Sequence, residues 1–288
     1  MLKHFVVTRF GLGVSSAQWF ERMIDLFEAV TFASVARQTS QEFTWIITVD
    51  AAMPANSRKR LEALLSPHPN YHVLPIDVTR LMRMQHGSID WVWDHCQVYM
   101  LEADLLIDPC DYIITSLIDA DDAWHREVIS TTNRFINGCL PLICIGEEKR
   151  SSRIRHTCGM AVTFPKGFKW FIPVNGIEPM EYAFNSMAVF VAARFSSGIS
   201  ACSSRNSQWK SYCNVVAFEV CELERDRPMW VYVRHDRTMQ RWDARNVSVM
   251  DCSMSDQLRN AFGIDLEKID QLAGTGIRQA YFEIPSSI

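Results

Sequence analysis

No uninterrupted apolar segment of this 288-residue chain reaches the roughly 18–20 residues a helix needs to cross a bilayer, which argues against a membrane-spanning protein. The opening Met1-Leu-Lys-His-Phe-Val-Val-Thr8 lacks the apolar core and small-residue cleavage site of a secretory signal. The expected location is therefore cytoplasmic, with peripheral association at the inner membrane face left open. Paired cysteine spacing is also missing. The 9 cysteines are odd in number and scattered, with no Cys-x-x-Cys, so neither a disulfide framework nor a structural zinc site organises the fold. There is no internal repeat, low-complexity tract or Pro/Gly-rich linker. Charge of one sign is scarce: the net value is −4, and the one local basic run, Lys149, Arg150, Arg153, Arg155 and His156, is too short to make nucleic acid an expected partner. What the chain does have is 48% hydrophobic residues, enough to bury a substantial core. It reads as a single domain over 1–288, with lobes at 1–146 and 147–288.

The most informative stretch is Tyr112-Ile-Ile-Thr-Ser-Leu-Ile-Asp-Ala-Asp-Asp-Ala-Trp-His125. Its first half is aromatic and β-branched and reads as a buried central strand. Its second half carries Asp119, Asp121 and Asp122. Open α/β sheets bind ligands beyond the carboxyl ends of their strands, and side chains two apart in an extended chain share a face, so Asp119 and Asp121 can address one ligand. Carboxylates this close repel unless a cation lies between them, and a hard divalent ion such as Mg2+ or Mn2+ takes oxygen ligands. An acidic turn capping a following helix is the plainer reading of the same residues.

Around it the chain alternates strand and helix. Lys3–Val7 reads as a strand, Ser15 or Ser16 as the cap of a helix running on to Gln38, and Phe43–Val49 as a second buried strand ending at Asp50. Pro54 opens a helix, Tyr71–Ile76 is a third strand, and Thr79–Ser88 is a loop carrying Arg80, Arg83 and His86, after which Asp90 caps a helix. Trp124–Ile136 is expected to be helical and Leu140–Ile145 a strand; Met160–Phe164 and Lys169–Ile172 are expected to pair as a hairpin about Pro165-Lys-Gly167. Met187–Ala193 and Met229–Val233 follow as strands, Ser207–Val216 as a helix, and Ser255 as the cap of a final helix. The pattern is that of an α/β fold built on a mixed, mostly parallel sheet flanked by helices.

The segments Val7-Thr-Arg-Phe10, Trp19–Gln38, Phe43-Thr-Trp45, Asp119-Ala-Asp-Asp122 and Pro228-Met-Trp-Val-Tyr-Val-Arg-His235 together resemble the bacterial "putative rhamnosyltransferase" family, whose members are GT-A-type glycosyltransferases. The resemblance covers most of the chain. It implies a GT-A-like nucleotide-diphospho-sugar transferase fold and the transfer of a sugar, rhamnose from dTDP-rhamnose among the donors, to a saccharide or glycolipid acceptor. It also implies Mg2+ or Mn2+ at the donor diphosphate, with Thr8, Arg9, Asp50 and Asp119 holding the donor and Asp119, Asp121 and His235 the metal. Asp50 equally suits the start of the Ala51–Pro54 turn, and a histidine at a strand exit is often a hydrogen-bonded structural residue.

Departure of a nucleoside diphosphate develops negative charge, which a metal at Asp121 and cations such as Arg9, Arg80, Arg83 or the Lys149–His156 run could offset. Glu181, Glu178 and Asp122 are the carboxylates available to deprotonate an acceptor. Two other readings compete. A haloacid-dehalogenase-type phosphatase also places Asp-x-Asp after a strand, though normally an early one. A non-catalytic nucleotide-sugar or carbohydrate-binding subunit would use Trp91, Trp93, Trp124 and Trp170 as sugar platforms.

Overall fold

The computed structural model describes residues 2–78, 90–106, 112–148, 159–203, 208–216, 218–235 and 247–272. Strands β1 (Lys3–Phe10), β2 (Thr44–Asp50) and β3 (Tyr71–Ile76) pair parallel in that order, and β4 (Tyr112–Leu117) pairs parallel with the other edge of β1. Next come β5 (Ala123–Trp124), β6 (Gly159–Thr163), β7 (Lys166–Phe171), β8 (Gly176–Glu181), β9 (Val189–Arg194), β10 (Glu219–Glu222), β11 (Trp230–Arg234) and β12 (Ser248–Val249). Among the described residues they form a seven-stranded sheet, β10-β6-β9-β4-β1-β2-β3, and a five-stranded sheet, β12-β8-β7-β11-β5. Only β9 runs against its neighbours in the larger sheet, so the expected mixed, mostly parallel architecture is present.

Both faces of the larger sheet are covered. Along β1, Val6 and Phe10 belong to one hydrophobic cluster, with Phe20, Phe27 and Trp45, while Phe5 and Val7 belong to the other, with Trp93 and Ile113. A strand buried on both sides has no polar face to display, which is why its sequence runs apolar almost without interruption. The helix after β1, Ala17–Phe27, starts at Ser16, whose hydroxyl accepts the Trp19 N–H at 3.3 Å. It continues through a π turn at Glu28–Phe32 into Ala33–Ala36. At that turn the Ala29 carbonyl accepts an N–H from outside the helix, that of Asp265, at 2.9 Å.

Four elements differ from the sequence-based expectation. Leu140–Ile145 lies inside a helix, Val128–Glu148; a short apolar run suits a helix as well as a strand, and periodicity cannot separate them. That helix also begins later than Trp124, because Ala123 and Trp124 are drawn out to pair with β11. Met160–Phe164 does not form a hairpin with Lys169–Ile172: β6 joins the larger sheet beside β9, and β7 pairs antiparallel with β8. The last helix starts at Asp251, whose carboxylate accepts the Met254 N–H at 2.8 Å. Gly263, at φ 71°, ends that helix, and Leu266–Leu272 forms another.

Inside the larger sheet His4 is almost wholly buried between Asn133 Oδ1, at 2.7 Å, and Ser116 Oγ, at 3.0 Å. Burial pushes its pKa down to about 4, against the opposing hydrogen bond to Asn133. His72 and His125 are lowered by burial as well. A histidine whose folded pKa lies below its unfolded value binds its proton more readily when unfolded. Stability is therefore full above the unfolded value near 6.5 and falls as the pH drops towards the folded one. Urea denaturation at pH 7 and pH 5 should show His4 contributing a loss of about 2 kcal/mol over that interval, and His4→Gln should flatten the dependence by that amount.

Candidate functional site

Because β4, β1 and β2 are adjacent and parallel, their carboxyl ends open on one edge of the sheet. From β1 the chain leaves through Gly11-Leu12-Gly13, with both glycines at positive φ. A Cβ on Gly11 would lie 2.5 Å from the Phe20 ring and 2.6 Å from Trp19, so only glycine lets this loop lie against the following helix. From β4 the chain leaves through Ile118 into Asp119-Ala-Asp-Asp122. Between these exits lies a cleft of about 390 Å³. Its polar lining is Arg9, Asp119, Asp121 and His235, and Trp19, Trp91 and Met23 contribute apolar surface.

Each carboxylate of the acidic turn has a different partner. Asp119 Oδ1 accepts from the Arg9 guanidinium at 2.9 Å, a pair that is about one-third exposed. Burial works against the charge on Arg9, yet Asp119 outweighs it and raises the pKa further. An ion pair this exposed contributes only about 0–1 kcal/mol to stability, so its importance lies in placing a cation in the cleft. Asp121 Oδ2 lies 2.9 Å from His235 Nε2, and the imidazole is nearly buried. Asp122 is fully buried. Its Oδ1 accepts the Val233 N–H at 2.8 Å, while its Oδ2 has no partner among the described residues. Burial, then the charges of Asp121 and Asp119, push its pKa well above the ordinary carboxylate range, against the Val233 N–H and Arg234.

The turn is braced from behind by the π-turn helix. Thr31 Oγ1 donates to the Asp119 carbonyl at 3.4 Å, and the Ser34 hydroxyl accepts the Trp124 N–H at 3.4 Å.

The remaining expected site residues lie elsewhere. Thr8 is wholly buried, its hydroxyl accepting the Trp45 indole N–H at 3.0 Å, so its side chain serves the core and not the cleft. Asp50 is buried at the exit of β2 with both oxygens occupied by backbone: Oδ2 accepts the Gly13 N–H at 3.0 Å and Oδ1 the Ala52 N–H at 2.8 Å. It fastens the Gly11–Gly13 loop and opens the Ala51–Pro54 turn. Glu181 is exposed at the end of β8, outside the cleft lining, and Glu178 pairs with Lys169 at 3.8 Å. Neither is placed to serve as a base there. Arg80, Arg83, His86 and the Lys149–His156 run lie outside the described residues.

Of the tryptophans considered as sugar platforms, Trp93, Trp124 and Trp170 are buried in the core, and Trp91 alone of the four reaches the cleft. Trp19 and Met23 escaped the sequence reading because their spacing marks a helix face that packs on the sheet. The two residues sit at the edge of that face, where the helix overhangs the strand ends.

Among the described residues no three His, Cys, Asp or Glu side chains already form a metal cluster. The donor set nevertheless suits a hard divalent cation. Adjacent ligands on an octahedral Mg2+ with bonds of 2.0–2.1 Å stand about 3.0 Å apart, close to the 2.9 Å between Asp121 Oδ2 and His235 Nε2. Asp119 lines the same cleft and adds carboxylate oxygen beside them.

The profile of a family described as "Putative rhamnosyl transferase" matches residues 14–243. No curated protein matches the chain. Similar solved structures include Staphylococcus aureus TarS 1-349 in complex with UDP, at 11% identity, covering 96% of this chain and 70% of that one with a TM-score of 0.47. They also include a nucleotide-diphospho-sugar transferase from Desulfovibrio desulfuricans G20, at 9% identity, 96% and 98% coverage and a TM-score of 0.41. The galactosyltransferase LgtC, in complex with donor and acceptor sugar analogs, stands at 10% identity, 98% coverage of both chains and a TM-score of 0.37.

Asp50→Asn should test the fastening role, since an amide offers one acceptor where two N–H groups require it. Either Gly13 or Ala52 is then left unpaired, at a cost of about 1–3 kcal/mol. Chemical denaturation should show that loss, and amide exchange should accelerate in the Gly11–Ala52 neighbourhood more than in β4.

Proposed function

Because the chain belongs to the family described as "Putative rhamnosyl transferase" and is a glycosyltransferase, we propose that it moves a sugar from a nucleoside-diphosphate donor to a saccharide or glycolipid acceptor with the help of Mg2+ or Mn2+. Rhamnose carried on dTDP is the donor the family description favours. The observation that carries the reading is the convergence in one cleft of Arg9, Asp119, Asp121 and His235. These residues come from two strand ends of the first half and one of the second. We assign the donor to the 1–146 lobe and the acceptor to the 147–288 side.

Asp121 and His235, with Asp119, would hold the ion. When bound, it supplies positive charge to the departing diphosphate. Arg9 adds a fixed cation beside that charge, already oriented by its bond to Asp119, so little reorganisation is required as charge develops. Trp19, Trp91 and Met23 offer apolar faces against which rings of the donor can lie and water is displaced. The buried neighbours Thr8 and Asp50 hold the floor of the cleft and its loop in place. A binding subunit using Trp93, Trp124 and Trp170 is disfavoured by the burial of all three.

Calorimetry with a nucleoside diphosphate should show binding with Mn2+ and little in chelator, because without the ion two ionised carboxylates face the diphosphate. Asp121→Asn should nearly abolish transfer. His235→Ala should instead raise the metal requirement, since water can replace a neutral ligand, and the double variant should be much less impaired than the product of the single effects. Equal nucleotide binding with and without metal would overturn the metal reading. A thermal-shift screen of nucleotide sugars with Mn2+ identifies the donor through the rise in melting temperature, and a response confined to uridine or guanosine sugars would discard rhamnose.

A further inference from the structure

Three aspartates lie within four residues of the acidic turn, yet Asp122 does not line the cleft. Its fully buried side chain is turned the other way, to β11. The contact between the turn and β11 is otherwise short. Strand β5 is two residues long and pairs with β11 only through Trp124 with Trp230 and Ala123 with Val231. Continued antiparallel pairing would use backbone carbonyls of the turn and flatten it into strand. Instead, Asp122 Oδ1 accepts the Val233 N–H at 2.8 Å. A side-chain oxygen thus supplies one more rung, and the backbone of residues 119–121 remains able to curve and present Asp119 and Asp121 to the cleft. Two residues beyond Val233 stands His235, whose ring meets Asp121.

We propose that Asp122 is a positioning residue: its carboxyl oxygen pins β11 to the acidic turn so that His235 reaches Asp121, and it neither binds the ion nor acts as a base. Its lack of exposure and its position outside the cleft oppose either direct role, whereas Asp119 and Asp121 are both partly exposed there. The requirement at position 122 is for an acceptor of the right shape, which asparagine also provides.

The test compares Asp122→Asn, Asp122→Ala and Val231→Ala in the full chain. Val231→Ala trims a buried side chain of the same strand without touching the Asp122 bond. Ring-nitrogen spectra of the histidines in metal-free protein report the Asp121–His235 contact directly, with the His235 signal identified by its loss in His235→Ala. The Asn variant should keep the wild-type His235 signal and Mn2+ affinity. The Ala variant should move that signal and weaken Mn2+ binding roughly 10- to 100-fold, the range for groups that orient a metal ligand. Combining Asp122→Ala with His235→Ala should add little to either alone. Val231→Ala should lower the melting temperature and leave the signal in place, which separates lost positioning from lost stability.

An Asn variant that loses Mn2+ as severely as Asp121→Asn would show that the charge itself is needed, and an Ala variant with an unmoved His235 signal would show that the bond positions nothing. Either result overturns the proposal. The metal arm rests on the glycosyltransferase reading, and the imidazole arm does not. If the wild-type protein binds no Mn2+, that reading of the metal fails while the ring signals alone still decide the role of Asp122.

Discussion

Like-charge repulsion among Asp119, Asp121 and Asp122 is the constraint to which the surrounding structure answers. Three carboxylates in four residues cannot share one environment at neutral pH without compensation, and here they are divided among three. Asp119 turns to a cation on β1, Asp121 to an imidazole after β11, and Asp122 into the interior against a backbone N–H. Each solution recruits a segment far away in sequence. The turn therefore acts as the junction where β1, β4 and β11 are tied, and the five-stranded sheet is held to the larger one at the place where chemistry is expected.

Division of the carboxylates also explains the unequal exposure of the site. Arg9 and Asp119 remain about one-third open, His235 is nearly closed off, and Asp122 is sealed. A ligand entering the cleft meets a preformed cation beside an anion. The deeper pair can accept a divalent ion while its side chains move little. Preorganisation of this kind lowers the cost of reorientation when charge develops on a leaving group.

Much of the first half was legible from residue pattern because its signals are local. Strand exits at Arg9, Asp50 and Asp119, the Ser16 cap and the two-sided burial of the central strands follow from hydrophobic runs and their polar ends. The errors arose where pairing is long-range. Nothing local in Met160–Phe164 says that its partner is β9, and Ala123–Trp124 is extended only because β11 passes beside it. The roles within the site divided in the same way. Position at a strand end identified Arg9, Asp119 and Asp121, whereas the inward turn of Thr8 and the double backbone engagement of Asp50 depend on neighbours that sequence spacing does not specify.

The π turn at Glu28–Phe32 carries a consequence for how chains of this kind can change length. Such a turn amounts to one extra residue within a helix, and here its freed carbonyl is taken by Asp265 while Thr31 and Ser34, beyond or within it, meet Asp119 and Trp124. Deleting a single residue there would restore regular α-helix, yet it would turn everything after it by about 100°, swinging Thr31 and Ser34 off the acidic turn. Single-residue deletions should therefore be tolerated poorly in this helix despite its regular neighbours, and the segment around Asp265 would lose its docking point along with them. The phase of one helix, set by an apparently surplus residue, thereby fixes the angle at which two distant parts of the chain are presented to each other.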